Sequence, residues 1–343
     1  MRYLVTGGSG YFGEILVKKL LSEDRNVVIF DLNPPSFSDP KLLYIQGDIT
    51  DIKSIRAACE NTKVVYHCVA QVPIAKNHKL FWSVNCGGTE NLLKAAKDSA
   101  TKKIVYISSS AVYGIPSKLP VTEEDNPTPS ESYGKAKYAA ELLCQEYIQK
   151  GMDISIIRPR TILGHGRLGI FQILFEWIYQ GYNIPVLGKG HNIYQFVHAE
   201  DLADACLAAG ALSGPNCFNI GASDYGSMSE ALEALINFAN TRSKLRGLPF
   251  HVATTLMNLS SALGWSPLGA YHALMYGRSM YFDIGRAQKM LDFKPKYSND
   301  RMMQESYAWY CTHRQDVLTG KRQGSKHQSA MKEGILNLIK KVL

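Results

Sequence analysis

The chain has 343 residues, 45% of them hydrophobic and 20% charged, and a formal net charge of +8. This is the composition of a soluble globular protein. No uncharged apolar stretch approaches the length that spans a bilayer, and an expected strand at residue 2 leaves no room for a signal peptide. The seven cysteines include no Cys-x-x-Cys pair, so neither a metal site nor a disulfide framework is indicated. Cys59, Cys68, Cys86, Cys144, Cys206 and Cys217 fall in expected strands or helices, which suits reduced thiols in a cytoplasmic protein.

The short apolar run at residues 2–5 predicts a first strand. Thr6-Gly7-Gly8-Ser9-Gly10-Tyr11-Phe12-Gly13 predicts a tight turn, and the amphipathic stretch 14–21 a helix. Strand, glycine turn and helix form the context in which backbone N–H groups and the helix dipole hold a pyrophosphate. Residues 27–30 read as a buried strand ending in Asp31. That acid is spaced to accept from a ribose 2′-OH and to repel a 2′-phosphate, so the expected cofactor is NAD rather than NADP.

Further strands are expected at 64–66 and 103–107, the second leading into Ser108-Ser109-Ser110-Ala111-Val112-Tyr113-Gly114. The segment Ser132-Tyr133-Gly134-Lys135-Ala136-Lys137 opens a helix, on which Tyr133 and Lys137 share one face a turn apart. An ammonium beside a phenol favours phenolate, so the tyrosine is expected to titrate toward the working pH. Such a tyrosine takes the proton of a secondary alcohol while the carbon gives up hydride. Ser109 would hydrogen-bond the same oxygen.

Together these segments resemble the extended short-chain dehydrogenase/reductases of the NAD-dependent epimerase/dehydratase family, from Thr6 to about Asp204 and more loosely to about Ser298. The resemblance implies an α/β fold: a Rossmann doubly wound parallel sheet with a smaller C-terminal substrate lobe. Within Gly47-Asp48-Ile49-Thr50-Asp51, it implies that Asp48 and Ile49 meet the adenine. His67-Cys68-Val69-Ala70 would line the adenosine ribose, with Val69 and Ala70 as contacts. Asn85-Cys86-Gly87-Gly88-Thr89-Glu90-Asn91 would start a helix, and Arg158-Pro159-Arg160 would set Pro159 against the nicotinamide amide. Alignment on Val112 makes Ser109 the catalytic serine, with Ser110 the near alternative. Lys137 would also bond the nicotinamide ribose. Helices at about 84–100 and 132–150 imply a homodimer.

The expected domains interleave. Residues 1–160 and about 191–222 form the NAD-binding domain, while 161–190 and 223–311 form the substrate lobe. Residues 312–343 form a basic tail with seven basic side chains against two acidic ones. In that tail Met331, Ile335, Leu338, Ile339 and Val342 recur at helical spacing. A terminal helix packed on its own domain is preferred over peripheral membrane contact. No nucleic-acid-binding module is recognisable.

The family's dehydratases place an Asp-Glu pair after the active-site hydroxyl residue. This chain has Ser110 and Ala111, which cannot do that proton chemistry. A nucleotide-diphosphate sugar is the first choice of substrate, handled by an epimerase. Many such enzymes carry a diphosphate-clamping arginine where this chain has Tyr194; Arg160, Arg167 or Arg278 would substitute. The apolar run 248–276 favours the alternative, a hydrophobic secondary alcohol oxidised by a 3β-hydroxysteroid-type or hydroxyketone dehydrogenase. A non-catalytic NAD(H)-binding redox sensor is the third reading, disfavoured because serine, tyrosine and lysine are all present.

Overall fold

A computed structural model describes residues 2–72, 78–99, 101–251, 253–255, 277–319 and 340. Most of the apolar run 248–276 and of the basic tail therefore lies outside the described residues. Seven parallel strands form the central sheet: β1 (Arg2–Thr6), β2 (Val27–Asp31), β3 (Leu42–Gln46), β4 (Thr62–His67), β5 (Lys103–Ile107), β6 (Ile154–Pro159) and β11 (Asn216–Ile220). Their spatial order is β11-β6-β5-β4-β1-β2-β3. The chain runs outward from β1 to β3, then crosses to β4 on the other side of β1. That reversal opens a crevice at the carboxyl ends of β1 and β4, where doubly wound sheets bind ligands.

Side-chain alternation along the strands builds the two faces. Leu4, Val28, Val65, Ile104 and Ile156 pack toward helices α2 (Ile52–Cys59), α4 (Gly88–Asp98) and α5 (Ser132–Gln149). Their neighbours Val5, Ile29, Tyr66, Val105 and Ile157 turn to α1 (Tyr11–Ser22) and α7 (Ala199–Ala211). All ten are at most 3% exposed. Each buried side chain of this size stabilises the fold by about 1.5–3 kcal/mol before entropy is charged.

Two segments differ from their expected form. A helical turn, α3 (His78–Leu80), runs through a π-helical stretch (Phe81–Gly87) into α4, so Asn85 lies inside a helical run rather than opening one. Its buried amide accepts from Gln71 N–H at 2.8 Å and donates to Gln71 C=O at 3.0 Å, tying down the loop after β4. Residues 193–198 do not join the large sheet. β9 (Ile193–Tyr194) pairs antiparallel with β12 (Gly226–Ser227), and β10 (Phe196–His198) pairs parallel with β7 (Thr161–Leu163).

A second core surrounds Phe175, Trp177 and Ile178 of α6 (Phe171–Tyr179), Leu235 of α8 (Met228–Ala239), and Met302 and Tyr310 of a long terminal helix (Asn299–Leu318). The boundary expected at residue 312 falls inside that last helix. Arg314 belongs there because its guanidinium makes two bonds, of 2.8 and 2.6 Å, to the buried Glu176 carboxylate. Tyr310 adds a third donor at 2.5 Å.

Candidate active site

The crevice holds a cavity of about 600 Å³. At one end it is lined by Gly7, Gly10, Tyr11, Phe12 and Gly13, then by Asp31, Asp48, Ile49, Val69 and Ala70. The glycine turn needs its glycines. Gly7 has φ +72°, and a Cβ at Gly13 would stand 2.1 Å from the Gly7 carbonyl oxygen. Gly8 and Ser9 support the wall rather than line it. A Cβ on Gly8 would strike Ile29, and Ser9 N–H donates to Asp31 Oδ2 at 3.1 Å. Asn33 N–H donates to the other carboxylate oxygen, so Asp31 is held at the end of β2. Asp48 turns its chain by accepting from Thr50 N–H and Oγ1.

The other end holds the residues expected to carry the chemistry. β5 stops at Ile107, and Ser109 follows in extended conformation with Oγ accepting from Ala111 N–H at 3.2 Å. Helix α5 begins where Glu131 caps it, its two carboxylate oxygens accepting from Tyr133 and Gly134 N–H. Tyr133 thus sits in the first turn, in hydrogen-bond contact with the Ser109 hydroxyl. Lys137, one turn on, donates from Nζ to the Ile107 carbonyl at 2.8 Å and lies over the Tyr106 ring. Of the two serines, Ser109 meets the phenol, while Ser110 Oγ accepts from Arg160 at 3.0 Å.

Protonation here is set by burial. It pushes the Tyr133 phenol up to about 12, against a smaller opposing pull from the Ser109 hydrogen bond. It pushes the Lys137 ammonium down to about 8. The expected depression of the tyrosine by the lysine is therefore not met. Lys137 is tied to a backbone carbonyl and is not among the charges that act on Tyr133, so burial dominates and disfavours the phenolate.

Behind the pair lies a buried network. Arg158 binds Glu141 through two nitrogens, at 3.0 and 2.6 Å, and donates to Tyr113 OH at 2.7 Å. Ser108 Oγ donates to Glu141 at 2.5 Å. Sequence reasoning missed Glu141, although Tyr133, Lys137 and Glu141 recur at four-residue spacing on one helical stripe. A charge on a buried stripe demands a partner.

The remaining candidates separate. Pro159, Arg160 and Arg167 line the cavity, with Thr161, Leu168 and Phe171 as neighbours not foreseen. The loop bearing Arg167 bends at Gly164, Gly166 and Gly169, all at positive φ. Tyr194 stands behind Arg160, its ring 4.8 Å from the guanidinium and its hydroxyl bonded to Thr161. Arg278 is off the cavity, over the Phe250 ring. Among the described residues His165, His198 and Glu305 bring ligand atoms within 4.8 Å of one another. His198 Nδ1, however, accepts from Glu200 N–H as a helix cap. Its neutral ring therefore carries the hydrogen on Nε2, the wrong tautomer for a metal ligand there.

Residues 3–221 match the model of the NAD dependent epimerase/dehydratase family. "Uncharacterized protein y4nG" of Sinorhizobium fredii is 51% identical over 98% of this chain and 85% of its own. A UDP-glucose 4-epimerase of Mycolicibacterium smegmatis is 30% identical over 64% of this chain and 77% of its own. A sterol-4-alpha-carboxylate 3-dehydrogenase, decarboxylating, of Homo sapiens is 26% identical over 89% and 87%. Among solved structures, MoeE5 in complex with UDP-glucuronic acid and NAD is 24% identical, with TM-score 0.76 over 92% of this chain and all of that one, a likeness of fold.

Proposed function

Since the chain belongs to the NAD-dependent epimerase/dehydratase family, we propose that this NAD-dependent enzyme oxidises a secondary alcohol of a nucleotide-diphosphate sugar and re-reduces it as an epimerase. The observation that carries the reading is the contact of the Ser109 hydroxyl with the Tyr133 phenol at the end of a crevice walled by the glycine turn. The crevice suits the cofactor. Gly7 and Gly13 leave no room for a Cβ, Asp31 is held to meet a ribose, and the buried Ser9 Oγ has no partner among the described residues. NAD supplies the hydride acceptor. Ser109 orients the substrate hydroxyl and Tyr133 takes its proton in oxidation; as a phenol it returns that proton in reduction. Lys137, one turn away and tied to the Ile107 carbonyl, would bond the nicotinamide ribose.

Dehydration lacks its groups. Ala111 has none, and Ser110 Oγ is engaged by Arg160. Substrate support comes from relatives that act on UDP-sugars. A second reading, oxidation of a hydrophobic alcohol, is favoured by the apolar wall of Ile162, Leu168, Ile170 and Phe171 and by the sterol dehydrogenase relatives. The test is incubation with NAD and either UDP-glucose or UDP-galactose, with products separated by chromatography. Interconversion without net NADH supports the epimerase. Net NADH from a 3β-hydroxysterol, with no sugar epimerised, replaces it by the dehydrogenase. NADH binding with no turnover of any sugar nucleotide, uronates included, or of any sterol revives the redox sensor.

We also propose a homodimer through α5 and the helical run 78–98. Leu80, Trp82 and Leu142 there are 40–47% exposed, a large apolar share for free helices.

A further inference from the structure

One charge beside the catalytic pair remains unexplained. Arg160 follows β6, is 1% exposed and lines the cavity. Its Nε donates to the Gln195 carbonyl at 3.2 Å, and Nη1 donates to Ser110 Oγ at 3.0 Å. Nη2 is buried and has no hydrogen-bond partner among the described residues. The described residues place no carboxylate in ion-pair contact with this guanidinium, whereas Arg158 two positions earlier is fully engaged by Glu141. The rings of Tyr194 and Phe282 lie 4.8 and 5.5 Å from its centre. They stabilise the cation but accept none of its edge hydrogens.

A buried cation with neutral partners and idle donors is costly unless something pairs it. Arg160 also grips Ser110, whose neighbour Ser109 meets Tyr133. The missing counter-charge therefore belongs at the reacting end of a ligand. The fixed, flat guanidinium edge matches a carboxylate.

We propose that Arg160 reads a carboxylate carried by the substrate on the carbon next to the one oxidised, so that the preferred substrate is a β-hydroxy acid. This rests on the proposed function for the position of the reacting carbon and narrows it. For a nucleotide sugar oxidised at C4, the acid is a hexuronate. The diphosphate is then left to other groups, and Arg160 acts as the selector between acid and neutral sugars.

The test titrates the NADH-bound wild-type protein calorimetrically with UDP-glucuronate, its methyl ester and UDP-glucose. The acid is expected to bind at least about tenfold tighter than either neutral ligand. Arg160→Gln and Arg160→Lys should each pull that ratio toward one. NADH affinity is measured first for every variant. Weakened NADH binding with an unchanged ratio would assign Arg160 to the cofactor and overturn the proposal. Equal binding of acid and ester by the wild type overturns it without any variant. If no sugar nucleotide binds, a 3β-hydroxysterol with a 4-carboxylate is compared with its 4-methyl counterpart. Acid preference there keeps the role of Arg160 and ends the nucleotide-sugar reading. No preference in that pair either ends both.

Discussion

In the proposed reaction Tyr133 loses a proton in one half and holds it in the other, and its surroundings favour holding. With the phenol pushed up to about 12, the rate of alcohol oxidation should climb with pH across the neutral and mildly alkaline range, while ketone reduction should not. Pre-steady-state NADH formation against pH checks this; a flat profile would show that the phenolate is not the base. Lys137→Met should weaken NADH binding and slow oxidation with it, because that side chain is the proposed contact to the nicotinamide ribose. Asp31 carries a separate prediction. Asp31→Ser should narrow the preference for NADH over NADPH in titration, since the repelling carboxylate is gone. These residues were legible because their types and spacing state their chemistry. Arg160 was legible only as one of three interchangeable arginines. Its idle Nη2 depends on Ser110, Gln195, Tyr194 and Phe282, which meet only once the chain folds.

Among elements, the glycine turn is the most demanding. Gly13→Ala would drive a methyl group into the Gly7 carbonyl, so NADH affinity should fall sharply while the far core of Phe175 and Tyr310 stays intact. Calorimetry with near-ultraviolet circular dichroism separates those two effects. The long terminal helix is tied to α6 by Arg314 and Tyr310 on Glu176, which they hold below the usual carboxylate range despite its burial. Arg314→Ala leaves that carboxylate short of donors and should destabilise the fold by about 1–3 kcal/mol in denaturant unfolding. Local signals marked β1, α1, β2, β5 and α5 well, because alternation and capping are written within a few residues. The π-helical stretch and the short pairs β7–β10 and β9–β12 were not legible. Asn85 bonds a loop fourteen residues earlier, and strands of two or three residues carry no period.

At the scale of the molecule, the sheet sets two cores back to back and leaves the crevice at its switch point. Burial also sets its response to acid. His67, held between Thr6 and Thr89, is pushed down to about 3, and His198 to about 4, from an ordinary 6.5. The unfolded chain takes up these protons first, so stability is intact above pH 6.5 and falls as pH drops toward 4, by up to about 1.4 kcal/mol per unit for each ring. His67→Gln should flatten the Tm-against-pH curve in that window. The central claim, that Ser109 and Tyr133 manage the proton while hydride passes to NAD, is tested most directly by single-turnover kinetics of Tyr133→Phe with its best substrate. The account predicts hydride transfer slowed by about two to four orders of magnitude with NADH affinity retained. Transfer at the wild-type rate would contradict it.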